Sequence, residues 1–340
     1  MRITIKDVAQ RAGVSPATVS LALNDPSSAI SEKTRERVMG VVSELGYRPN
    51  RLAASLARKK TNTIGLIVPD NSNFFLVAYS SCIEHVMREY GYTMILGNAD
   101  DSVEKTLQYL LDFSDRGVDA IILTQSIFVN DDDTRLCMDV IKSLQIPVAL
   151  VDRFPSNYVT AFAQINDFLG GYLAFKHLLE LGHTRIGIIA GEMFLHCCTE
   201  RLDGCKAALD EFGIIYDPAL LYEGNFQIDS GIEALPYFSD KGVTAIFAFN
   251  DMIAYGVYKE ARNCGIRIPD DLSVVGFDDL LFSDVIYPPL TTVIYPVKDV
   301  ATAIVKKLVG LIETGLTDLS EPVTFDPALK VRSSTRQLTE

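Results

Sequence analysis

Two short helix signals near the start of the chain are separated by a single residue, and this spacing restricts the fold more than any other feature. Thr4 supplies an N-cap hydroxyl with Asp7 three residues later, and Gly13 is suited to end the helix in the left-handed conformation. Ser15 then caps a second helix. Because only Val14 separates Gly13 from Ser15, the two helices must cross at a steep angle, which is typical of a helix-turn-helix.

A third helix signal completes a small head. It runs from a cap at Ser31 to Gly46 and places Val38 on its apolar face, while Val19 and Leu23 form the apolar face of the second helix. Three short helices with one apolar face each can close a minimal core. A three-helix bundle without DNA-binding activity would show a similar pattern and is the alternative interpretation.

The second helix carries side chains that this core does not need, and these can reach base edges or phosphates in a DNA groove. Its leading face holds small or polar residues, and an apolar residue follows further along the helix. The residues of the head that we expect to contact DNA are Thr4, Ser15, Pro16, Ala17, Thr18, Ser20, Leu21, Asn24 and Tyr47.

The segment 49–60 has a narrow apolar strip flanked by basic residues. Pro49 breaks the chain before it, and so short a helix, below about 12–15 residues, is marginal in water unless it folds against a partner. Leu56 is suited to wedge between base pairs in the minor groove. The candidate DNA contacts here are Asn50, Arg51, Ala53, Leu56 and Ala57. A basic linker with accidental helical spacing is the alternative.

The charge of the chain is unevenly divided. Residues 1–60 contain 11 Lys and Arg against 5 Asp and Glu, whereas the remainder contains 20 against 39, for a formal net charge of -13. Phosphate contacts need local positive charge, and an acidic body discourages indiscriminate adhesion to nucleic acid. The division favours a nucleic-acid-binding head on an acidic body.

The body, 61–340, alternates apolar, β-branched runs with amphipathic stretches. Candidate strands are 63–68, 92–96, 120–123, 148–151, 186–189, 245–249 and 273–276. Candidate helices are 75–90, 104–116, 167–181, 200–212, 252–264 and 297–313. This alternation predicts an α/β fold, with doubly wound parallel sheets, and so many units require two lobes.

Polar residues follow the predicted strands, where open α/β sheets bind ligands. They are Asp70, Asn71, Ser72, Asn73, Gln125, Ser126, Asp152, Arg153, Asn250, Asp251, Asp278 and Asp279. For any single Asp, a loop cap or turn is the alternative. Together, carboxylates and amides with an arginine and an aromatic face suit a polyhydroxylated ligand, because they hold vicinal hydroxyls in pairs.

Several classes of protein are disfavoured. The chain has four histidines and no HExxH, GxSxG, GxGxxG or P-loop string, so we expect no enzymatic activity and no cofactor. Its six cysteines form no CxxC pair, and we expect neither a disulfide framework nor a metal site. With no apolar run of about 20 residues and no signal peptide, we expect a cytoplasmic protein without membrane partners rather than an exported solute-binding protein.

The motifs of the head and body occur in the order and spacing of a known family. TIKDVAQRAGVSPATVSLALN, SEKTRERV and ELGYRPNRLAASLARKKTNTIGLIVPD are followed by HLLELGHTRIGIIAG, AIFAFND, DLSVVGFDD, PPLTTV and VRSSTR. The chain resembles the lactose-repressor/galactose-repressor family of bacterial transcription regulators over essentially its whole length. The resemblance implies a head in the major groove, paired hinge helices with Leu56 in the minor groove, and two chains on a near-palindromic operator in double-stranded DNA.

The resemblance also implies which residues bind the effector. Arg201, Asn250 and Asp278 match the positions that grip it in the family. Further lining positions are Asn73, Phe75, Asp152, Phe194 and Phe226, and Ser126 joins them from its place after a predicted strand. Cys197 and Cys198 stand where the family often has small hydroxyl residues, and we expect buried packing for both. Leu21 replaces an arginine that is frequent in the family, so direct recognition of guanine at that operator position is not expected.

The resemblance divides the chain as follows: a helix-turn-helix head 1–48, a hinge helix 49–60, and an effector-binding core 61–340. It assigns 61–161 plus 291–322 to lobe one and 162–290 plus 323–340 to lobe two. No leucine heptad ends the chain, so we expect a homodimer. The expected function is a repressor controlled by a sugar or sugar derivative. The alternative is an activator, or a regulator responding to a nucleobase or another co-repressor.

Overall fold

The chain forms two compact units, Met1–Thr61 and Asn62–Glu340. The computed structural model describes residues 3–24, 28–47, 60–124, 131–151, 163–315 and 323–338. The predicted segment 49–59 lies outside the described residues, so the expected hinge helix remains a prediction.

The described residues of the first unit form three helices: α1 (Ile5–Ala12), α2 (Pro16–Asn24) and α3 (Glu32–Leu45). The predicted caps are present. The backbone N–H of Thr4 donates to the carboxylate of Asp7 at 2.8 Å, and the backbone N–H of Thr18 donates to Oγ of Ser15 at 3.1 Å. Gly13 adopts φ 65°, the left-handed conformation that ends α1 and redirects the chain into α2. The predicted helix-turn-helix is confirmed.

A small apolar core joins the three helices. Its fully buried members are small or β-branched: Val8, Ala9, Ala12, Val19, Ala22 and Val38. The guanidinium of Arg35 in α3 ties this core to the end of α2, because it donates to the carbonyl oxygen of Ala22 at 2.7 Å and to Oγ of Ser28 at 2.9 Å. These contacts fix α2 against α3 and leave the opposite face of α2 exposed.

The first lobe of the core contains a parallel sheet with strand order β2-β1-β3-β4. Its strands are β1 (Thr63–Val68), β2 (Thr93–Asn98), β3 (Ala120–Thr124) and β4 (Val148–Val151), and its helices are α4 (Phe74–Glu89), α5 (Val103–Asp115) and α6 (Asp131–Ser143). From β1 the chain continues to β2 on one side of β1 and then to β3 on the other side, so the direction of strand addition reverses between β2 and β3. Ligands bind at such a switch point, beyond the carboxyl ends of the strands.

The two lobes are joined by crossover strands. β5 (Ala163–Ile165) pairs in parallel with β11 (Val323–Phe325). The segment between these strands in sequence includes α11 (Val297–Thr314), which packs on α4 of the first lobe. The chain therefore returns to the first lobe for α11 before it enters the second lobe for the last time.

The second lobe contains a six-stranded sheet of order β12-β10-β9-β8-β6-β7. Its strands are β6 (Ile186–Ala190), β7 (Leu221–Glu223), β8 (Ala245–Ala248), β9 (Ser273–Asp278), β10 (Thr291–Ile294) and β12 (Ala328–Lys330). Only β12 is antiparallel to its neighbour. The helices are α7 (Asp167–Glu180), α8 (His196–Glu211), α9 (Ile228–Tyr237) and α10 (Asp251–Cys264). The predicted doubly wound α/β fold is confirmed.

The predicted boundary at about residue 291 falls at the start of a strand of the second lobe. The return to lobe one was expected to begin at Thr291, but Thr291–Ile294 form β10 and pair with Val275–Asp278 of β9 in the second-lobe sheet. Backbone hydrogen bonds to β9 hold this segment in lobe two. The crossing therefore follows Ile294, one strand later than expected.

Three kinds of feature are absent from the described residues. No helix there has the length and apolar character needed to cross a membrane. No group of three or more His, Cys, Asp or Glu side chains there is placed to hold a metal ion. All six cysteines are free thiols, and Cys137, Cys198 and Cys205 are buried.

Candidate nucleic-acid interface and effector site

The exposed face of α2 carries most of the predicted base-contacting side chains. Ser15, Pro16 and Ala17 are exposed at its start, whereas Thr18 and Ser20 are half-buried. Leu21 keeps 45% of its surface exposed although it is apolar. A helix that buries Val19 and Ala22 while exposing this row can enter a groove without disturbing the core of the head.

The remaining predicted DNA contacts of the head differ in their surroundings. Thr4 is exposed, but its hydroxyl is hydrogen-bonded to the carboxylate of Asp7 at 2.8 Å. Tyr47 is half-buried and packs against the core of the head. Asn24 ends α2. Its side chain, and the predicted contacts Asn50, Arg51, Ala53, Leu56 and Ala57, lie outside the described part of the chain.

In the core, six of the predicted effector residues line one cavity. Asn73 and Phe75 come from the first lobe, at the start of α4. The other four come from the second lobe, and Cys197 of α8 lies among them. The second-lobe residues are Arg201, Phe226, Asn250 and Asp278. This cavity, which we call the interlobe cleft, therefore gathers side chains from segments that follow β1, β6, β7, β8 and β9.

Arg201 is buried in the wall of the interlobe cleft and is held from three sides. Its Nε donates to Oδ1 of Asp167 at 2.7 Å, and its Nη1 donates to the carbonyl oxygen of Phe249. The guanidinium lies 3.6 Å from the centroid of the Phe277 ring. A planar cation held in this way presents donors in a fixed orientation to a ligand.

Asn250 joins the start of α10 to the loop that bears Phe226. Its Oδ1 accepts from the backbone N–H of Ile253 at 2.8 Å, which caps the helix. Its Nδ2 donates to the carbonyl oxygen of Phe226 at 2.9 Å. The second N–H of this amide has no partner among the described residues, so it is available to a ligand.

Phe226 needs special backbone geometry to reach the cleft. It adopts φ 60°, which is uncommon for a residue with a side chain. Its ring occupies the space left by Gly191, where an added Cβ would lie 2.1 Å from the ring. Gly191 is therefore required for this placement of the aromatic face.

Asp278 ends β9 in a strained turn. Asp278 and Asp279 have φ 109° and 58°, and such conformations cost about 1–3 kcal/mol each. The turn is stabilised from outside the cleft, because the Asp279 carboxylate accepts from Arg332 Nη2 at 2.6 Å and Lys330 Nζ at 3.1 Å. These ion pairs leave Asp278 at the cleft while its neighbour anchors the turn.

Asp251, next to Asn250, is fully buried and organises the same region. Its carboxylate accepts from Thr292 Oγ1 at 2.6 Å, Ser283 Oγ at 2.5 Å and the backbone N–H of Leu280 at 2.8 Å. Burial raises its pKa to about 7, although these hydrogen bonds favour the charged form. Asp251 thus ties α10 to β10 and to the turn that follows Asp279.

Among the described effector candidates, Phe194 lies outside the interlobe cleft. Phe194 is not among its lining residues and keeps 49% of its surface exposed. Its loop is anchored by the backbone N–H of Met193, which donates to Glu223 Oε1 at 2.9 Å, and Leu195 takes the buried position instead. Ser126 and Asp152 lie outside the described residues.

Cys197, for which the sequence predicts buried packing, lines the interlobe cleft. It is half-buried in the wall of the interlobe cleft, one helical turn before Arg201. Its neighbour Cys198 is buried as expected, and burial raises the pKa of the Cys198 thiol. The four-residue spacing to Arg201 was the available signal, because residues i and i+4 share one face of a helix.

Known protein families match parts of both units. A model for "Bacterial regulatory proteins, lacI family" matches residues 4–50, and a model for a "Periplasmic binding protein-like domain" matches 175–335. The HTH-type transcriptional regulator DegA of Bacillus subtilis (strain 168) is 38% identical over 339 residues, which are 99% of each chain. The chain belongs to the lacI family of bacterial regulatory proteins. The family resemblance expected from the motifs is confirmed, and this lacI-family protein is a transcriptional regulator.

Solved structures similar to this lacI-family chain include complexes with DNA and with a sugar. The lac repressor dimer bound to operator and the anti-inducer ONPF has a TM-score of 0.86 at 26% identity, covering 99% of this chain and 100% of that one. The transcriptional regulator CelR in complex with cellobiose has a TM-score of 0.72 at 30% identity, covering 98% of this chain and 100% of that one.

Proposed function

We propose that this regulator is a repressor whose affinity for a near-palindromic operator is set by a sugar bound in the interlobe cleft. The observation that carries the proposal is the cleft itself, which brings Asn73 and Phe75 of one lobe against Arg201, Asn250 and Asp278 of the other. A ligand between these residues contacts both lobes at once. It can therefore bias their relative positions.

The chemistry of the cleft favours a polyhydroxylated ligand. The Asp278 carboxylate accepts from hydroxyl groups, whereas Arg201 and the Asn250 amide donate to them. Phe75 and Phe226 supply aromatic faces for the C–H surface of a sugar ring. The structural relative CelR, whose complex contains cellobiose, supports the assignment of a sugar.

The head supports binding in a major groove through α2. The exposed row at its start is small and polar, which allows close approach to base edges. Leu21 presents an apolar surface that suits the methyl group of thymine and lacks the paired donors that recognise guanine. The positive balance of residues 1–60 supplies attraction to phosphates.

Exposed apolar side chains on both lobes support a homodimer. In the second lobe the turn after Leu280 exposes Leu281 (80%), Val285 (71%) and Tyr287 (93%). In the first lobe the edge strand β2 exposes Ile95 and Leu96. Exposed apolar clusters of this kind mark association surfaces, and the lac repressor to which this chain is similar is a dimer on its operator.

Two contacts link the lobes next to the interlobe cleft, and a ligand that changes the angle between the lobes would alter them. The rings of Phe74 and Phe282 have centroids 5.3 Å apart, and Gln227 Nε2 donates to Asp70 Oδ2 at 3.4 Å. A ligand that favours one lobe angle shifts operator affinity only through its differential binding to the two angles. A coupling of roughly 1–3 kcal/mol gives about a 5- to 150-fold change in affinity.

The test combines a ligand screen with DNA binding. Thermal shift of the full chain against sugars, sugar phosphates and nucleobases identifies a ligand, and a gel shift with and without that ligand follows. We expect a sugar to raise the melting temperature and to change operator affinity, and salt to weaken operator binding. Operator binding that responds neither to salt nor to any ligand bound by the chain contradicts the proposal. A nucleobase that binds in place of sugars supports the alternative effector.

A further inference from the structure

A second cavity of about 220 Å³ lies where the chain crosses between the lobes. β5 contributes Gln164, β11 contributes Thr324, and Tyr295 follows β10, so three crossing segments form its walls. The first turn of α8 closes it with His196 and Glu200. We call this space the crossover cavity.

The crossover cavity and the interlobe cleft share a wall. His196 and Glu200 are four residues apart on α8 and line the crossover cavity, whereas Arg201, four residues after Cys197, lines the cleft. Cys197 lines both spaces. Asp167 lines the crossover cavity and forms the 2.7 Å ion pair with Arg201 of the cleft, so the two spaces adjoin at this pair and at Cys197.

Two side chains of the crossover cavity have acceptor oxygens that are not used within the described parts of the chain. The half-buried carboxylate of Glu200 has no hydrogen bond or ion pair with any described residue. Gln164 uses its Nε2 to donate to Thr324 Oγ1 at 3.2 Å, which leaves its Oε1 as an acceptor. Asn166 is already occupied, since it accepts from the backbone N–H of Leu169 at 3.0 Å and donates to Asp326 at 2.9 Å.

These features restrict the chemistry of an occupant. Free acceptors require a ligand that offers donors, and an unpaired carboxylate repels a phosphate or a carboxylate. No lysine or arginine is among the residues lining this cavity in the described parts of the chain. The volume is below the roughly 300–1,000 Å³ of a drug-sized site, so it suits one ring-sized group, with Tyr295 as an aromatic wall.

We propose that the crossover cavity is a second compartment of the effector site and holds an uncharged, hydroxyl-rich group, namely the second ring of a disaccharide. The inference rests on the proposed sugar effector. One ring occupies the interlobe cleft, the other occupies the crossover cavity, and the linkage passes Cys197. Glu200 and Gln164 are the residues that select a disaccharide over a monosaccharide or a sugar phosphate.

The test uses the full chain and matched ligands in isothermal titration calorimetry. The probes are glucose, fructose and ribose, the disaccharides cellobiose, maltose and sucrose, and the phosphates glucose 6-phosphate and ribose 5-phosphate. We expect one disaccharide to bind at least about tenfold more tightly than its constituent monosaccharides and than either phosphate, as an added charge-assisted hydrogen bond provides. Glu200→Gln should weaken the binding of that disaccharide by about tenfold and leave the binding of a monosaccharide unchanged.

Asp203→Asn is the matched control, because Asp203 lies on the same helix, is exposed and pairs only locally with Lys206. If Glu200→Gln and Asp203→Asn change the affinity for the disaccharide equally, the proposed second compartment is wrong. A monosaccharide or a phosphate that binds as tightly as every disaccharide also overturns it, as does a panel in which no sugar binds. The response of operator binding to other ligands tests the proposed regulator separately, so the two failures are distinguishable.

A second measurement does not depend on a variant. Alkylation of Cys197 by iodoacetamide, followed by peptide mass mapping, reports access to the shared wall, and exposed Cys264 serves as the internal control. We expect the disaccharide to slow alkylation of Cys197 several-fold more than a monosaccharide does, with Cys264 unaffected. Equal protection by both ligands overturns the proposal.

Discussion

At the residue scale, the cleft depends on side chains whose partners lie far away in sequence. Arg201 was expected at the site from the family motif, but the Asp167 carboxylate and the Phe277 ring that hold it were not. Such partners are set by the packing of α7, α8 and β9, which residue spacing does not report. Phe194 shows the reverse case: its motif position matches the family, but its side chain is half exposed and Leu195 is the buried residue of that loop.

Asp251 gives a prediction about pH. Because burial raises its pKa to about 7 from 3.8, the folded state binds more protons than the unfolded state between pH 4 and 7. The contribution of Asp251 to the free energy of unfolding should therefore fall as pH rises through this window, by up to about 4 kcal/mol, and stay level above it. Asp251→Asn should remove this part of the pH dependence.

Urea unfolding at pH 5 and pH 8 measures the effect, with exposed Asp210→Asn as the control variant. The wild-type chain and Asp210→Asn should show the same change of stability between the two pH values, and Asp251→Asn should gain stability at pH 8 relative to pH 5 compared with both. An identical pH dependence in all three proteins would show that Asp251 does not titrate in this range.

At the element scale, sequence pattern located most of the long elements, but it missed the helices α6 and α9 and the shortest strands. The predicted strand 63–68 matches β1, but β5, β7, β11 and β12 have three residues each and carry too little periodicity to detect. α8 was expected from residue 200 but begins at His196. The sequence did not indicate this first turn, because His-Cys-Cys-Thr has low helix propensity and Leu195 offers no side-chain cap. α9 was missed since it contains Gly231 and Pro236.

The contact between α7 and α8 gives a prediction about packing. An added Cβ at Gly204 would lie 2.0 Å from the carbonyl oxygen of Phe168, so the backbones of the two helices touch. Gly204→Ala should separate them, cost about 1–3 kcal/mol or more, and weaken ligand binding because Arg201 and Asp167 lie on opposite helices.

Gly310→Ala is the matched control within a helix. No atom lies within 4 Å of a Cβ added there, so alanine should stabilise α11 by about 0.5–1 kcal/mol. Thermal melting with and without a bound ligand measures both variants. The close contact is refuted if Gly204→Ala melts at or above the wild-type temperature with unchanged ligand affinity.

At the scale of the whole molecule, the division into a basic head and an acidic two-lobed body was predictable from charge and from strand-helix alternation. The position at which the chain crosses between lobes was not, because β10 joins the second-lobe sheet through hydrogen bonds with β9 and β12, which are remote in sequence or too short to detect. The crossover cavity was likewise hidden, since its walls are Gln164, Tyr295 and Thr324, which are remote in sequence.

The exposed apolar turn gives a prediction about assembly. Tyr287→Asp places a charge in the proposed dimer surface and should convert the protein to a monomer with weakened operator binding. Ile215→Asp is the control, because Ile215 is equally exposed and lies outside this turn. Light scattering after size-exclusion chromatography measures the mass. A dimer that persists in Tyr287→Asp, or dissociates equally in Ile215→Asp, excludes the turn as the interface.

The central claim is that a ligand in the interlobe cleft controls DNA binding, and operator affinity measured by fluorescence anisotropy tests it most directly. The wild-type chain and Asp278→Asn are titrated onto a near-palindromic operator, with and without saturating sugar identified in the thermal screen, beside exposed Asp240→Asn as control. The account predicts a 5- to 150-fold change in affinity, roughly, for wild type and Asp240→Asn, and a loss of this response in Asp278→Asn at the same sugar concentration. Equal operator affinity with and without sugar in the wild-type chain, or an undiminished response in Asp278→Asn, would contradict it.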